Sequence, residues 1–135
     1  MSLFQGSRRG VAATEFALTL PIFLLLVGGI VDVSWLIITK TSLVQAARDG
    51  VRRAVPLPLL DDPTAMAESH AEHVLGDLGV LCDDSVSCEI EANVHESGGL
   101  YMLTLSITRD YDPLIGLVEL DSRLDSSFTM LLENP

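Results

Sequence analysis

The sequence predicts an α+β chain: a long N-terminal transmembrane and stalk helix, then a small domain with one short helix and a three-stranded antiparallel sheet. Three observations predict it. Residues 16–31 form an apolar run without a single charge. Apolar positions at helical spacing continue well past that run, until Pro56 and Pro58 end it. In the second half of the chain, apolar and polar residues alternate with the period of two that a half-buried strand requires.

The uncharged run FALTLPIFLLLVGGIV is sixteen residues long, about 24 Å of helix, and falls short of a hydrocarbon core of about 30 Å. Asp32 interrupts it, and VSWLIIT carries it on to Thr39 before Lys40, which makes it long enough. Glu15 and Asp32 are seventeen residues apart, about 26 Å of rise. One carboxylate then sits at each rim of a bilayer rather than at its centre, where either is costly. Trp35 lies one turn past Asp32, the place of an interfacial aromatic. The competing readings are a core helix of a soluble protein and a removable secretory signal. Against the signal, no small-x-small site follows the run, and the helical pattern does not break. Leu43, Ala47, Val51 and Ala54 or Val55 carry it on. One helix over residues 11–55 therefore crosses the membrane and emerges as a stalk, with Pro21 and the pair Gly28 and Gly29 as its expected bends. For the glycine pair, simple tolerance and close helix packing both stand. Arg8 and Arg9 place the N-terminus on the cytoplasmic side, although Lys40, Arg48, Arg52 and Arg53 lie at the other end.

Residues 56–62 read as a proline-rich linker and 63–135 as an extracytoplasmic α+β domain. Asp61 and Asp62 before Pro63 are a helix start, a capping carboxylate followed by proline at the first helical position. Ala67, Ala71, Val74 or Leu75, and Leu78 form one apolar face of a helix over 63–78, and Gly79 ends it. Cys88, Ile90, Ala92 and Val94 alternate with Glu89, Glu91, Asn93 and His95. Ser97, Gly98 and Gly99 make a turn, and Tyr101, Leu103, Leu105 and Ile107 alternate in the returning strand, giving a hairpin. After an irregular stretch over 110–121, Leu124, Ser126, Phe128 and Met130 supply a third strand. This sheet has an apolar face to lay on the stalk.

The charge of −11 over 135 residues hides a split. Residues 1–60 carry six basic side chains against three acidic, whereas residues 61–135 carry two against sixteen. An acidic half of that kind cannot neutralise a run of phosphates, which excludes nucleic acid as a partner. Cys82 and Cys88 have neither zinc-finger nor CxxC redox spacing. Outside the cytoplasm they fit a disulfide closing a small loop; two buried thiols are the alternative. Catalysis is not expected, because there is no phosphate-cradling glycine loop and no nucleophile elbow. His70 and His73 share one helix with Glu72 between them, and His95 lies elsewhere. Solvated imidazoles explain them better than a metal site does, and no cofactor or metal is expected.

Taken together, RRGVAATEFALTLPIFLLLVGGIVDVSWLI and the alanine-rich AARDGVRRA resemble the TadE-like proteins, minor pseudopilins of the tight-adherence (Flp-type) pilus system. The matching positions are Arg8, Arg9 and Gly10, Glu15 and Phe16, Leu20 and Pro21, and Asp32. LTLSITRDYDPLIGL and the closing strand through Met130 fit more loosely, and the region around Cys82 and Cys88 matches nothing in the family pattern. The resemblance implies a pilin-like architecture and a leader over residues 1–10, recognised through Arg8 and Arg9. A prepilin peptidase then cuts between Gly10 and Val11 at the inner membrane. It implies assembly roles for Glu15, Phe16, Pro21 and Asp32, with other pilins and the pilus assembly platform as partners. Glycine suits the cut because it lets the backbone lie extended in a protease cleft. Cleavage leaves a new amine on Val11, one helical turn from Glu15. For Asp32, the reading as an interface marker stands beside the assembly role. The rival from another class is an uncleaved, single-pass membrane-anchored binding module unrelated to a pilus.

Overall fold

One helix runs through the molecule, and everything else is packed on its second half. The computed structural model describes residues 7–80, 82, 87–117 and 123–133. Helix α1 (Ser7–Ala54) is 48 residues long and continuous across Pro21 and the glycine pair, about 72 Å at 1.5 Å per residue. It begins four residues before Val11, so residues 7–10 of the expected leader are helical as well. Next come α2 (Pro63–Asp77) and the strands β1 (Cys88–Ser97), β2 (Leu100–Asp110) and β3 (Arg123–Leu131). The strands form one antiparallel sheet in the order β1-β2-β3. The predicted α+β class holds, and each predicted strand is found, extended by one to three residues at its ends.

The burial along α1 shows what each half is for. Residues 10–27 are exposed on every side. From Gly28 onward a stripe goes under: Asp32, Thr39, Leu43, Ala46, Ala47, Gly50, Val51 and Ala54 are buried. The spacing is that of one helix face. Against it pack Ala67, Ala71 and Leu75 of α2 and Leu103, Leu105 and Ile107 of β2. A fully buried leucine or isoleucine of this set contributes about 1.5–3 kcal/mol. The alanines and Gly50 bring α1 and α2 close: a Cβ on Gly50 would meet the Ala67 carbonyl oxygen at 2.7 Å.

Local chemistry sets the element ends. Asp62 caps α2, its carboxylate accepting from the Ala65 N–H at 3.2 Å and the Thr64 hydroxyl at 2.5 Å. These bonds, the Thr64 hydroxyl foremost, hold its carboxyl below the ordinary 3.8. At the other end Gly79 takes a positive φ of 73°. Gly79 N donates to Gly76 O and Val80 N to Leu75 O, the double bond of a Schellman motif that satisfies two orphan carbonyls. Leu78, expected on the apolar face, falls at this cap and is exposed. Gly98 and Gly99, with φ of 64° and 79°, make the tight β1–β2 turn. Glu68 of α2 accepts the Ala92 N–H of edge strand β1 at 2.8 Å, covering one donor that a foreign strand would otherwise use.

Candidate functional site

The sheet is laid lengthwise on α1, which fixes what faces each end. Lys40 Nζ donates to the Asp125 carbonyl, the Arg48 guanidinium stands 5.4 Å from the Phe128 ring centre, and Glu133 N donates to Val55 O at 3.3 Å. Strand β3 therefore climbs with α1. The β1–β2 turn lies at the far end of the helix, and the chain leaving β2 returns toward the apolar span.

That returning segment meets Asp32. Its carboxylate is fully buried and accepts two backbone N–H groups, from Ile115 to Oδ1 at 2.8 Å and from Leu117 to Oδ2 at 2.9 Å. The Tyr111 hydroxyl donates to the Asp32 backbone carbonyl at 2.9 Å. Leu117 lies over Gly28, where a Cβ would overlap its Cδ1. A carboxylate inside an apolar helix is costly unless hydrogen-bonded, and here its own chain supplies the donors. In the sequence, Tyr111 and the 113–117 loop figured only within the stretch LTLSITRDYDPLIGL, with no role of their own, and Gly28 was legible only as half of a glycine pair. The signal for them was indirect: a lone acidic residue needing partners, and the apolar PLIGL after a strand.

The rest of the apolar span has the chemistry of a helix in lipid. Among the described residues, one helix is long and apolar enough to cross a membrane, Gly10–Ala54. Its hydroxyls turn back on its own carbonyls: Thr14 to Val11 O at 2.8 Å, Thr19 to Phe16 O at 3.1 Å, Ser34 to Ile30 O at 2.7 Å, and Thr39 to Trp35 O at 3.0 Å. Each thereby satisfies its donor without water. Phe16, Thr19, Leu20 and Phe23 line one shallow apolar groove along the helix, and Leu26, Gly29, Ile30, Val33 and Ser34 another. One such helix at the N-terminus suggests single-pass membrane anchoring.

The other sequence-derived residues are dispersed along the chain. Gly10, Val11, Glu15, Phe16 and Pro21 are exposed along the first turns of α1; the side chains of Arg8 and Arg9 lie outside the described residues. Asp32 is far up the helix from all of them, about 26 Å above Glu15. Cys82 and Cys88 are joined in a disulfide, with Cα atoms 5.3 Å apart. His73 pairs with Asp77 at 3.2 Å, while His70 is half-buried on α2 and His95 is exposed on β1. Among the described residues, no group of three His, Cys, Asp or Glu side chains is placed to hold a metal.

Comparison with known proteins bears on this same helix. Residues 10–52 match the family model of the TadE-like proteins. Neither a curated protein nor a solved structure matches the chain. The chain thus carries a TadE-like segment that spans nearly all of α1, and it fits a membrane protein associated with a tight-adherence pilus.

Proposed function

We propose that this chain is a minor pseudopilin that helps initiate or build a tight-adherence (Flp-type) pilus, with a structural rather than a catalytic role. In this reading a prepilin peptidase cuts after Gly10, α1 holds the protein in the cytoplasmic membrane, and the acidic domain lies outside it. One observation carries the reading: the TadE-like match over residues 10–52 coincides with a helix whose first half is apolar and exposed on every side. A surface of that kind needs lipid or other apolar helices around it, and a pilus core of packed pilin helices supplies the second.

The geometry is compatible with the cut. Gly10 lies in the first turn of α1, where the N–H groups have no helical partners, so extending residues 7–11 into a cleft gives up little. A Cβ at Gly10 would meet nothing; the requirement for glycine would then belong to the protease. The amine freed at Val11 lies one turn from the exposed Glu15 carboxylate, which also favours the positive end of the helix. In an assembly, the same carboxylate can neutralise the amine of a neighbouring subunit as both leave the bilayer.

The test is the intact mass of the protein recovered from membranes of cells that carry the cognate peptidase. A chain beginning at Val11 is the expected result. A chain still carrying residues 1–10 would overturn the processing step and leave the uncleaved anchored binding module as the better reading.

A further inference from the structure

The loop of residues 113–117 presents an unusual surface for a domain whose remainder is strongly acidic. Leu114 is 64% exposed, Ile115 52% and Leu117 45%. This loop is the part of the domain held against the apolar span, with Leu117 over Gly28 and Ile115 bonded to Asp32. Its height can be placed. With Glu15 at one edge of the hydrocarbon, about 30 Å of core spans about twenty residues of helix and reaches the level of Trp35. Residues 28–32 then lie within about 10 Å of the domain-side edge, inside the apolar layer. Val27, Ile30 and Val33 of α1 are exposed at the same height, so loop and helix share one apolar belt.

An unpaired backbone N–H in that layer is costly. Two N–H groups of the loop are satisfied by the Asp32 carboxylate, at 2.8 and 2.9 Å, and Pro113 has none to satisfy. We propose that residues 113–117 form a second membrane-contacting element, an apolar loop that inserts Leu114, Ile115 and Leu117 into the domain-side leaflet. Asp32 takes up the N–H groups of Ile115 and Leu117, which lowers the cost of bringing this stretch of backbone to the edge of the leaflet. The domain is thereby held at a fixed height on the bilayer, and Asp112, exposed at the start of the loop, sits at the headgroups. The inference rests on the placement of α1 across the membrane.

Trp35 is the single tryptophan of the chain, which makes depth measurable. In a Trp35→Phe background, the full chain carrying Leu114→Trp is reconstituted in phosphatidylcholine vesicles with or without bromine on the acyl chains. Leu25→Trp, on the exposed span, and Leu100→Trp, at the distant β1–β2 turn, serve as references, and Ile115→Trp gives a second position on the loop. The expected result is quenching of Leu114→Trp and Ile115→Trp at least half as strong as that of Leu25→Trp, with Leu100→Trp unquenched. Strong quenching at Leu25→Trp with none at either loop position would overturn the inference and leave the loop to water or to a protein partner. No quenching at Leu25→Trp would instead overturn the membrane placement of α1, and this inference with it.

Discussion

Replacing Asp32 by alanine should free the 111–117 segment without unfolding the domain. The carboxylate accepts two backbone N–H groups with good geometry. A hydrogen bond to a charged group is worth about 1.5–3 kcal/mol net. Because the two bonds share one carboxylate and lock one loop, their loss is not additive, and about 2–4 kcal/mol is the expected cost of opening the loop. The core of Leu43, Ala47, Leu75, Leu103 and Leu105 does not touch this bond and should stay intact. Amide hydrogen exchange of the protein in nanodiscs reads the effect residue by residue. Protection at Ile115 and Leu117 should fall roughly 30- to 700-fold, while that of Leu103 and Leu105 stays as it was. Asp32→Asn, which keeps one acceptor oxygen, should fall between. Tyr111→Phe, which removes only a neutral donor to the Asp32 carbonyl, should cost about 0.5–1.5 kcal/mol. Unchanged protection at Ile115 and Leu117 in Asp32→Ala would refute the idea that this carboxylate holds the loop.

Four further outcomes are expected. Gly50→Ala drives a Cβ into the Ala67 carbonyl at 2.7 Å and Leu105 at 2.8 Å; backbone has to move, and chemical denaturation should show a loss of about 1–3 kcal/mol. The Asp62 carboxyl is held below 3.8, so its cap contributes fully above that value and is lost as pH falls through the lower folded one. Helix content of the native protein should therefore fall more in strong acid than that of Asp62→Asn, whose amide still caps but does not titrate. Reducing the Cys82–Cys88 bond releases a loop with a sequence separation of 6, and a drop of about 2 kcal/mol in unfolding free energy should accompany labelling of two thiols. Glu15→Ala, at an exposed position with no partner among the described contacts, should leave the melting temperature unaltered; loss of pilus formation in cells would mark Glu15 as an assembly residue.

The parts of this fold that were legible in the sequence are those in which a residue type answers a local demand. Leu43, Ala47 and Val51 mark the buried face of α1 because 3.6-residue periodicity leaves no other face to bury. Asp62 with Pro63, and Gly79, mark the ends of α2 because a cap needs an acceptor and a left-handed residue needs no Cβ. The alternation of Leu103, Leu105 and Ile107 assigns the inward face of β2. The partners of Asp32 follow a different rule. They are backbone N–H groups 83 and 85 residues further on, and a backbone donor is the same for every residue except proline, so Ile115 and Leu117 carry no mark of that role. Asp32 looked like a rim charge because span length alone cannot distinguish a carboxylate facing water from one covered by its own domain. Thr39 and Ser42 are hidden for a related reason: bonding to the Trp35 and Ile38 carbonyls lets them be buried without a distant partner.

The extent of the family match has a physical sense when set beside the two halves of α1. It begins at Gly10 and ends at Arg52, so it covers the exposed apolar half and also nearly the whole stripe on which the domain lies, from Gly28 through Asp32, Leu43, Ala47 and Gly50 to Val51. The helix thus carries two surfaces in tandem, one apolar and exposed and one that seats its own domain. Their junction is at residues 28–32, where Gly28 makes room for Leu117 and Asp32 binds the loop. Exposed domain surface away from α1 is under neither demand: the acidic outer faces of α2 and β1 can change without disturbing either interface. A single helix that sets both the anchor and the seat of the domain also fixes the height of the domain above the span. Any force moving α1 along its axis, including extraction from the bilayer, must therefore carry the domain and the 113–117 loop with it as one body, or first break the bonds at Asp32.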